Sequence, residues 1–103
     1  MAIAAVSIAP VGVGTSVSEY VAAALQVVQA QSDIAYRLDP MFTTLEGGLP
    51  DIFALILEME AAVFALGAER VGTVIKIDDR RDREVAMQDK VTAVETRLKA
   101  KPS

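Results

Sequence analysis

The chain contains no cysteine, no histidine and no tryptophan among its 103 residues. Without cysteine there is neither a disulfide framework nor a thiolate nucleophile. Without histidine the commonest general base is gone, and most zinc chemistry goes with it. A hard-cation site of Asp and Glu stays open, but no calcium-loop spacing of carboxylates around a turn glycine occurs. A basic surplus is also missing: 10 Lys and Arg against 14 Asp and Glu give a net charge of -4. That balance excludes a nucleic-acid partner held by non-specific phosphate contacts. No run approaches the roughly 18 apolar residues of a membrane span, so no membrane partner is expected. The start, Met1-Ala2-Ile3-Ala4-Ala5-Val6-Ser7-Ile8-Ala9-Pro10, lacks the Lys or Arg of a secretory leader and alternates like a strand. The expected compartment is the cytoplasm.

What the chain has in excess is apolar surface. Hydrophobic residues make up 52% of it, with a mean hydropathy of +0.37. A length of 103 residues fits one domain, residues 1–103. A domain this small has much surface per volume and buries that apolar content poorly on its own. Association into a homo-oligomer is therefore expected.

Along the chain, residues 2–9 read as a first strand, and Val11-Gly12-Val13-Gly14-Thr15 as a turn. Ser16, followed three residues later by Glu19, has the form of a capping box opening a helix to about Gln31. Tyr20, Val21, Ala24, Leu25 and Val28 supply its apolar stripe. Ile34 to Leu38 alternate as a second strand, and Met41 to Leu45 form a third beyond the Asp39-Pro40 turn. Pro50 and Asp51 suit the first turn of a second helix. Its stripe runs Ile52, Leu55, Ile56, Met59, Val63, Leu66, up to a capping Gly67. A fourth strand spans about Arg70 to Ile77, and a last helix about Asp82 to Lys99. Met87, Val91, Val94 and Leu98 form the packing stripe of that helix.

This order is the α+β, ferredoxin-like βαββαβ plan with an added C-terminal helix. Right-handed crossovers then give a four-stranded antiparallel sheet in the order 4-1-3-2, with the two main helices on one face. The other face is left bare. Strands 1 and 4 are apolar on both sides, so that face needs cover from the last helix or another subunit. The plan also sorts polar residues into two clusters. Ser16, Ser18 and Thr43 share one end, while Glu46 and Gly47 share the other with Asp78, Asp79, Arg80 and Asp82. A ligand touching both would sit across the sheet or between subunits.

Four segments in order, Ser16-Val17-Ser18-Glu19-Tyr20-Val21, Pro40-Met41-Phe42-Thr43-Thr44-Leu45-Glu46-Gly47, Gly67-Ala68-Glu69-Arg70-Val71 and Ile75-Lys76-Ile77-Asp78-Asp79-Arg80-Arg81-Asp82, resemble the small thiamine-binding (YkoF-like) protein family. The resemblance covers nearly the whole chain. It implies a ferredoxin-like fold, dimers and tetramers, and binding of thiamine or its hydroxymethylpyrimidine half without catalysis and without a cofactor. The family's motif positions fall on Ser16, Ser18, Thr43, Glu46 and Asp78. Hydroxyls suit an aminopyrimidine, which needs donors and acceptors. Carboxylates such as Glu46 or Asp78 suit the thiazolium cation, as do the aromatic faces of Phe42 or Tyr20. Two departures stand out: Phe42 replaces a frequent glycine, and Glu60-Ala61 replaces a frequent His-Glu.

Plainer roles compete for the same residues. Ser16 also serves as a helix cap, Ser18 as a solvated first-turn serine, Thr43 as an ordinary strand residue, and Glu46 as a carboxylate favouring a helix's positive end. The Asp78 to Asp82 run also reads as a helix cap with mutual salt bridges. Two further function classes follow: a regulatory or structural ferredoxin-like oligomer with another small ligand, and an enzyme akin to the dimeric α+β barrels. No nucleophile and base stand at a persuasive spacing, so an enzyme is not expected.

Overall fold

In the computed structural model, which describes residues 1–14 and 17–100, the alternation of β1 (Ala2–Pro10) sorts the sheet into two faces. Ala2, Ala4, Val6, Ile8 and Pro10 are buried, while Ile3, Ala5, Ser7 and Ala9 are only partly covered. After β1 come α1 (Ser18–Gln29), β2 (Ala35–Leu38), β3 (Thr43–Gly47), α2 (Leu49–Ala65), β4 (Val71–Asp79) and α3 (Met87–Ala100). β1 lies between β3 and β4, antiparallel to both, and β2 pairs with β3. The order β2-β3-β1-β4 is the expected one, counted from the opposite edge.

Helices α1 and α2 cover the first face. Ala24 and Val28 of α1 meet Ile52, Leu55, Ile56, Met59 and Val63 of α2 above β1 and Leu45. Fully burying one such aliphatic side chain contributes about 1.5–3 kcal/mol. Ile52, Leu45, Val28 and Val63 are the largest side chains wholly removed from water, and they sit where the two helices cross the central strands. Pro50 falls in the first turn of α2 and Asp51 beside its positive end, as the sequence suggested. Gly67 closes the helix at φ +103°, a conformation other residues rarely adopt, with its N–H donating to the Phe64 carbonyl at 2.9 Å. Leu66, expected in the buried stripe, is exposed, because the helix has ended one residue earlier.

Several boundaries differ from the sequence reading, each for a physical reason. Ser16 lies outside the described residues; α1 begins at Ser18, with Val17 as N-cap and no side-chain cap bond. Glu19 is then the second helical residue, not the third that a capping box requires. The helix stops at Gln29, short of Gln31, whose side chain forms the corner. Gln31 Nε2 donates to the Val28 and Ile34 carbonyls, each at 2.9 Å, and Gln31 Oε1 accepts from Ile34 N–H at 2.7 Å.

The third strand starts two residues late. Asp39 N–H donates to the Phe42 carbonyl at 3.0 Å, so Pro40 and Met41 are spent on a tight turn with proline in a favoured position. At its far end, Glu46 and Gly47 join the ladder opposite Ile3 and Ala2. A Cβ at Gly47 would lie 2.5 Å from Ile34 Cδ1, which explains the glycine there.

The last helix starts at Met87, not Asp82. Asp82 pairs with Arg80 at 2.5 Å and Asp79 with Arg81 at 3.0 Å, so these carboxylates serve the loop and not the helix. The start of α3 is held instead by Asp89, whose carboxylate accepts from Ala86 N–H at 2.9 Å, and by Glu46, which accepts from Met87 N–H at 3.1 Å.

Only the beginning of α3 touches the open face of the sheet. Arg37 donates to Gln88 at 2.6 Å, and Lys90 forms an ion pair with Asp78. No residue of α3 is buried; Val94 and Leu98, expected to pack, are 58% and 67% exposed. The radius of gyration, 15.7 Å, accordingly exceeds the roughly 13 Å of a compact chain of this length. The sheet's second face stays largely open within one chain, and Val74 on β4 is 59% exposed there.

Candidate ligand site

The register of β3 decides where its hydroxyls point. Thr43, Leu45 and Gly47 share the face that α1 and α2 cover, while Thr44 and Glu46 share the open one. Thr43 stands opposite Val6 on one side and Leu38 on the other. At 6% exposure, it is the one buried polar residue among those described.

Beside it a cavity of about 110 Å³ lies between β1, α1 and the β2–β3 turn. Val6, Ile8, Val21, Leu25 and Met59 form its apolar wall, with Thr43 in the lining and Asp39, Pro40, Met41 and Phe42 around it from the turn. An apolar cavity of roughly 150 Å³ accepts one benzene ring, whereas sites that enclose drug-sized molecules start near 300 Å³. This one is smaller than either and open on one side, so it takes at most a single ring. A larger ligand would leave its remainder outside. Among the described residues Asp39 is the only ionisable group in the lining, and no lysine or arginine contributes.

Ser18 opens α1 and is exposed, one turn before the cavity-lining Val21 on the same side of the helix. It does not itself line the cavity. Ser16 belongs to the same connection but lies outside the described residues. The sequence reading took Asp39 only as half of a turn signal. A carboxylate next to proline has no periodicity to mark it, and only the hairpin brings it beside Thr43.

Glu46 and Asp78 occupy the opposite face and the opposite end. Both stand across from Ile3 of β1, one on each side, so their backbones are two strand spacings, roughly 10 Å, apart. Each is engaged by α3. The half-buried Glu46 accepts the Met87 N–H, and Asp78 holds Lys90. The Lys90 ammonium, through its hydrogen bond and then its charge, keeps the Asp78 carboxyl below its ordinary value. Next to them the hydrogen bond from Arg80 holds Asp82 down to about 2. One chain thus keeps Thr43 and Ser18 apart from Glu46 and Asp78, as the two-cluster topology required. Glu60, one of the two departures, accepts a hydrogen bond from the Thr73 hydroxyl and ties α2 to β4 away from the cavity. Phe42, the other, lines the cavity. Among the described residues no helix is long and apolar enough to cross a membrane.

The chain resembles known proteins in sequence and in fold. A family model described as "Thiamine-binding protein" matches residues 4–95. The UPF0045 protein YqgV of Bacillus subtilis is 45% identical over 102 residues, covering 95% of this chain and 98% of the relative. The crystal structure of hypothetical protein MJ1052 from Methanocaldococcus jannaschii superposes with a TM-score of 0.84 at 36% identity, over 91% of this chain and 95% of that one. A Thermotoga maritima protein, provisionally assigned to thiamine biosynthesis or salvage, has a TM-score of 0.78 over 90% of this chain and 97% of its own. Its identity is 18%, so that likeness concerns the fold alone.

Proposed function

Because the chain belongs to the thiamine-binding protein family, we propose that it binds thiamine, or the hydroxymethylpyrimidine half of it, in the cytoplasm as a homo-oligomer and without catalysis. The observation that carries this reading is the ring-sized cavity with a buried hydroxyl in its wall. An aminopyrimidine offers both donors and acceptors along one edge, and a threonine hydroxyl can serve either. Its flat apolar faces suit Val6, Ile8 and Leu25, and Phe42 adds an aromatic neighbour. Ser18, in the first turn of α1, offers a further hydroxyl at the same end, and the family motif adds Ser16. The thiazolium half is left outside the cavity.

Glu46 and Asp78 enter the same proposal only through assembly. They lie on the open face, so they act on a ligand that another copy brings to that face. The exposed apolar side chains there and on α3, Val74, Val94 and Leu98 above all, support such an assembly. Calorimetric titration with thiamine and with hydroxymethylpyrimidine tests the reading, alongside recovery of the ligand after long incubation. Saturable heat with both and unchanged thiamine are expected. Absence of binding by either at concentrations well above micromolar would sink it.

A further inference from the structure

We infer that Asp39 makes the site selective for the unphosphorylated, cationic form of the ligand, by acting as counter-ion to the ring that stays outside the cavity. The inference rests on the thiamine reading above and adds a charge-selecting residue to it. A cavity of about 110 Å³ holds one ring, so the second ring of a two-ring ligand must lie at the mouth. There the hairpin turn supplies the only ionisable group in the lining, the Asp39 carboxylate. The backbone of Asp39 is fixed by its N–H bond to the Phe42 carbonyl at 3.0 Å, next to the Leu38 and Thr43 pair. The backbone from which the carboxylate reaches therefore sits directly beside the strand that carries the buried hydroxyl.

The two carboxylates that the family motif offers for this task are otherwise occupied within the chain. Glu46 receives the Met87 N–H and Asp78 holds Lys90. No salt bridge engages Asp39 among the described residues. The same charge that attracts a thiazolium repels a phosphate carried on its side chain, and no Lys or Arg in the lining offsets that repulsion. Asp39 is exposed, so the effect is screened. Opposite charges about 4 Å apart in water change affinity by roughly fivefold.

The test uses the full chain and three probes, thiamine, thiamine monophosphate and the neutral hydroxymethylpyrimidine, titrated calorimetrically into wild type, Asp39→Asn and Asp39→Glu. Wild type should prefer thiamine to its monophosphate. Asp39→Asn should weaken thiamine by roughly fivefold, leave hydroxymethylpyrimidine unchanged and narrow the preference over the monophosphate, while Asp39→Glu restores it. The thiamine loss should also shrink as salt is raised. Unchanged thiamine affinity in Asp39→Asn would overturn the inference. So would an equal loss for thiamine and the neutral pyrimidine, which would mark a disturbed turn and not a lost charge. If wild type bound neither probe, the thiamine reading itself would fall, and this inference with it.

Discussion

Replacing Thr43 by valine separates a ligand-binding hydroxyl from a merely well-packed strand residue. The two side chains have nearly the same shape, and valine is at least as good a strand former. The backbone pairings of position 43 with Val6 and Leu38 are untouched. No cavity is created at a site that is 94% removed from water, so folding stability should hold within about 1 kcal/mol. Binding loses one neutral hydrogen bond, about 0.5–1.5 kcal/mol. At 1.4 kcal/mol per tenfold, that is a loss of about 2- to 12-fold in affinity. It should be the same for thiamine and for the lone pyrimidine, because the hydroxyl faces the ring that both share. Asp39→Asn, by contrast, should affect thiamine alone, so the two variants give different patterns with the same pair of titrants. Calorimetry with both ligands, alongside thermal denaturation of the empty protein, reads every quantity needed. Full affinity in Thr43→Val would refute the assignment of Thr43 to the site. A matching loss of melting temperature would show that position 43 matters for folding instead.

Acid should loosen α3 before the core. Lys90 holds the Asp78 carboxyl below its ordinary range and ties α3 to β4, so that stabilisation is complete above about pH 4 and is lost as pH falls through the lowered value; Arg80 holds Asp82 to about 2 in the loop before α3, which loosens over the same range. Amide exchange in α3, corrected for intrinsic rates, should accelerate between about pH 4 and 2 while β1 stays protected; equal behaviour of both would contradict this. Ile52→Ala should cost about 2–5 kcal/mol in urea denaturation, because Ile52 is wholly buried, whereas Leu57→Ala, on the exposed side of the same helix, should stay within about 0.5 kcal/mol. Leu98→Glu should reduce the particle mass in light scattering without altering the circular dichroism, since Leu98 is 67% exposed within its own chain; an unchanged mass would remove α3 from the assembly surface.

The elements legible in the sequence were those whose pattern is a direct consequence of burial. β1 alternates because one of its faces lies under two helices, and α2 keeps three-and-four spacing because Ile52, Leu55, Ile56, Met59 and Val63 meet the sheet. Gly67 was readable because few other residues adopt its conformation. What escaped depended on partners distant in sequence. The start of α3 is set by Glu46, 41 residues earlier, and the end of α1 by a side-chain bridge from Gln31 to Ile34. Neither leaves a periodic trace. The candidate site divides in the same way. The two-ended arrangement followed from topology, since strand order and direction fix which strand ends meet, and Thr43 was singled out by the family resemblance. Asp39 did not, because its importance arises from the shape of the cavity beside a two-residue turn.

The placement of α3 bears on why Glu46 and Asp78 stand where they do. An isolated helix of 14 residues is marginal in water, and this one buries none of its side chains within the chain. Its attachments are polar and mostly exposed: the Glu46 bond to its first amide, the Arg37 to Gln88 bond and the Lys90 to Asp78 ion pair. Surface pairs of this kind contribute about 0–1 kcal/mol each, and a cap about 0.5–2 kcal/mol. Such contacts aim a helix better than they hold it. The missing stabilisation has to come from burial, and the surfaces available are the stripe of Val91, Val94 and Leu98 and the open sheet face around Ile3, Ala5 and Val74. Within one chain the first three stay exposed, so the geometry favours covering them with a second copy, consistent with the homo-oligomer proposed above. Glu46 and Asp78 would then fix the direction in which α3 leaves the sheet and hence where the second copy sits. Their influence on the ligand would run through assembly, while Thr43 and Asp39 would act on it directly.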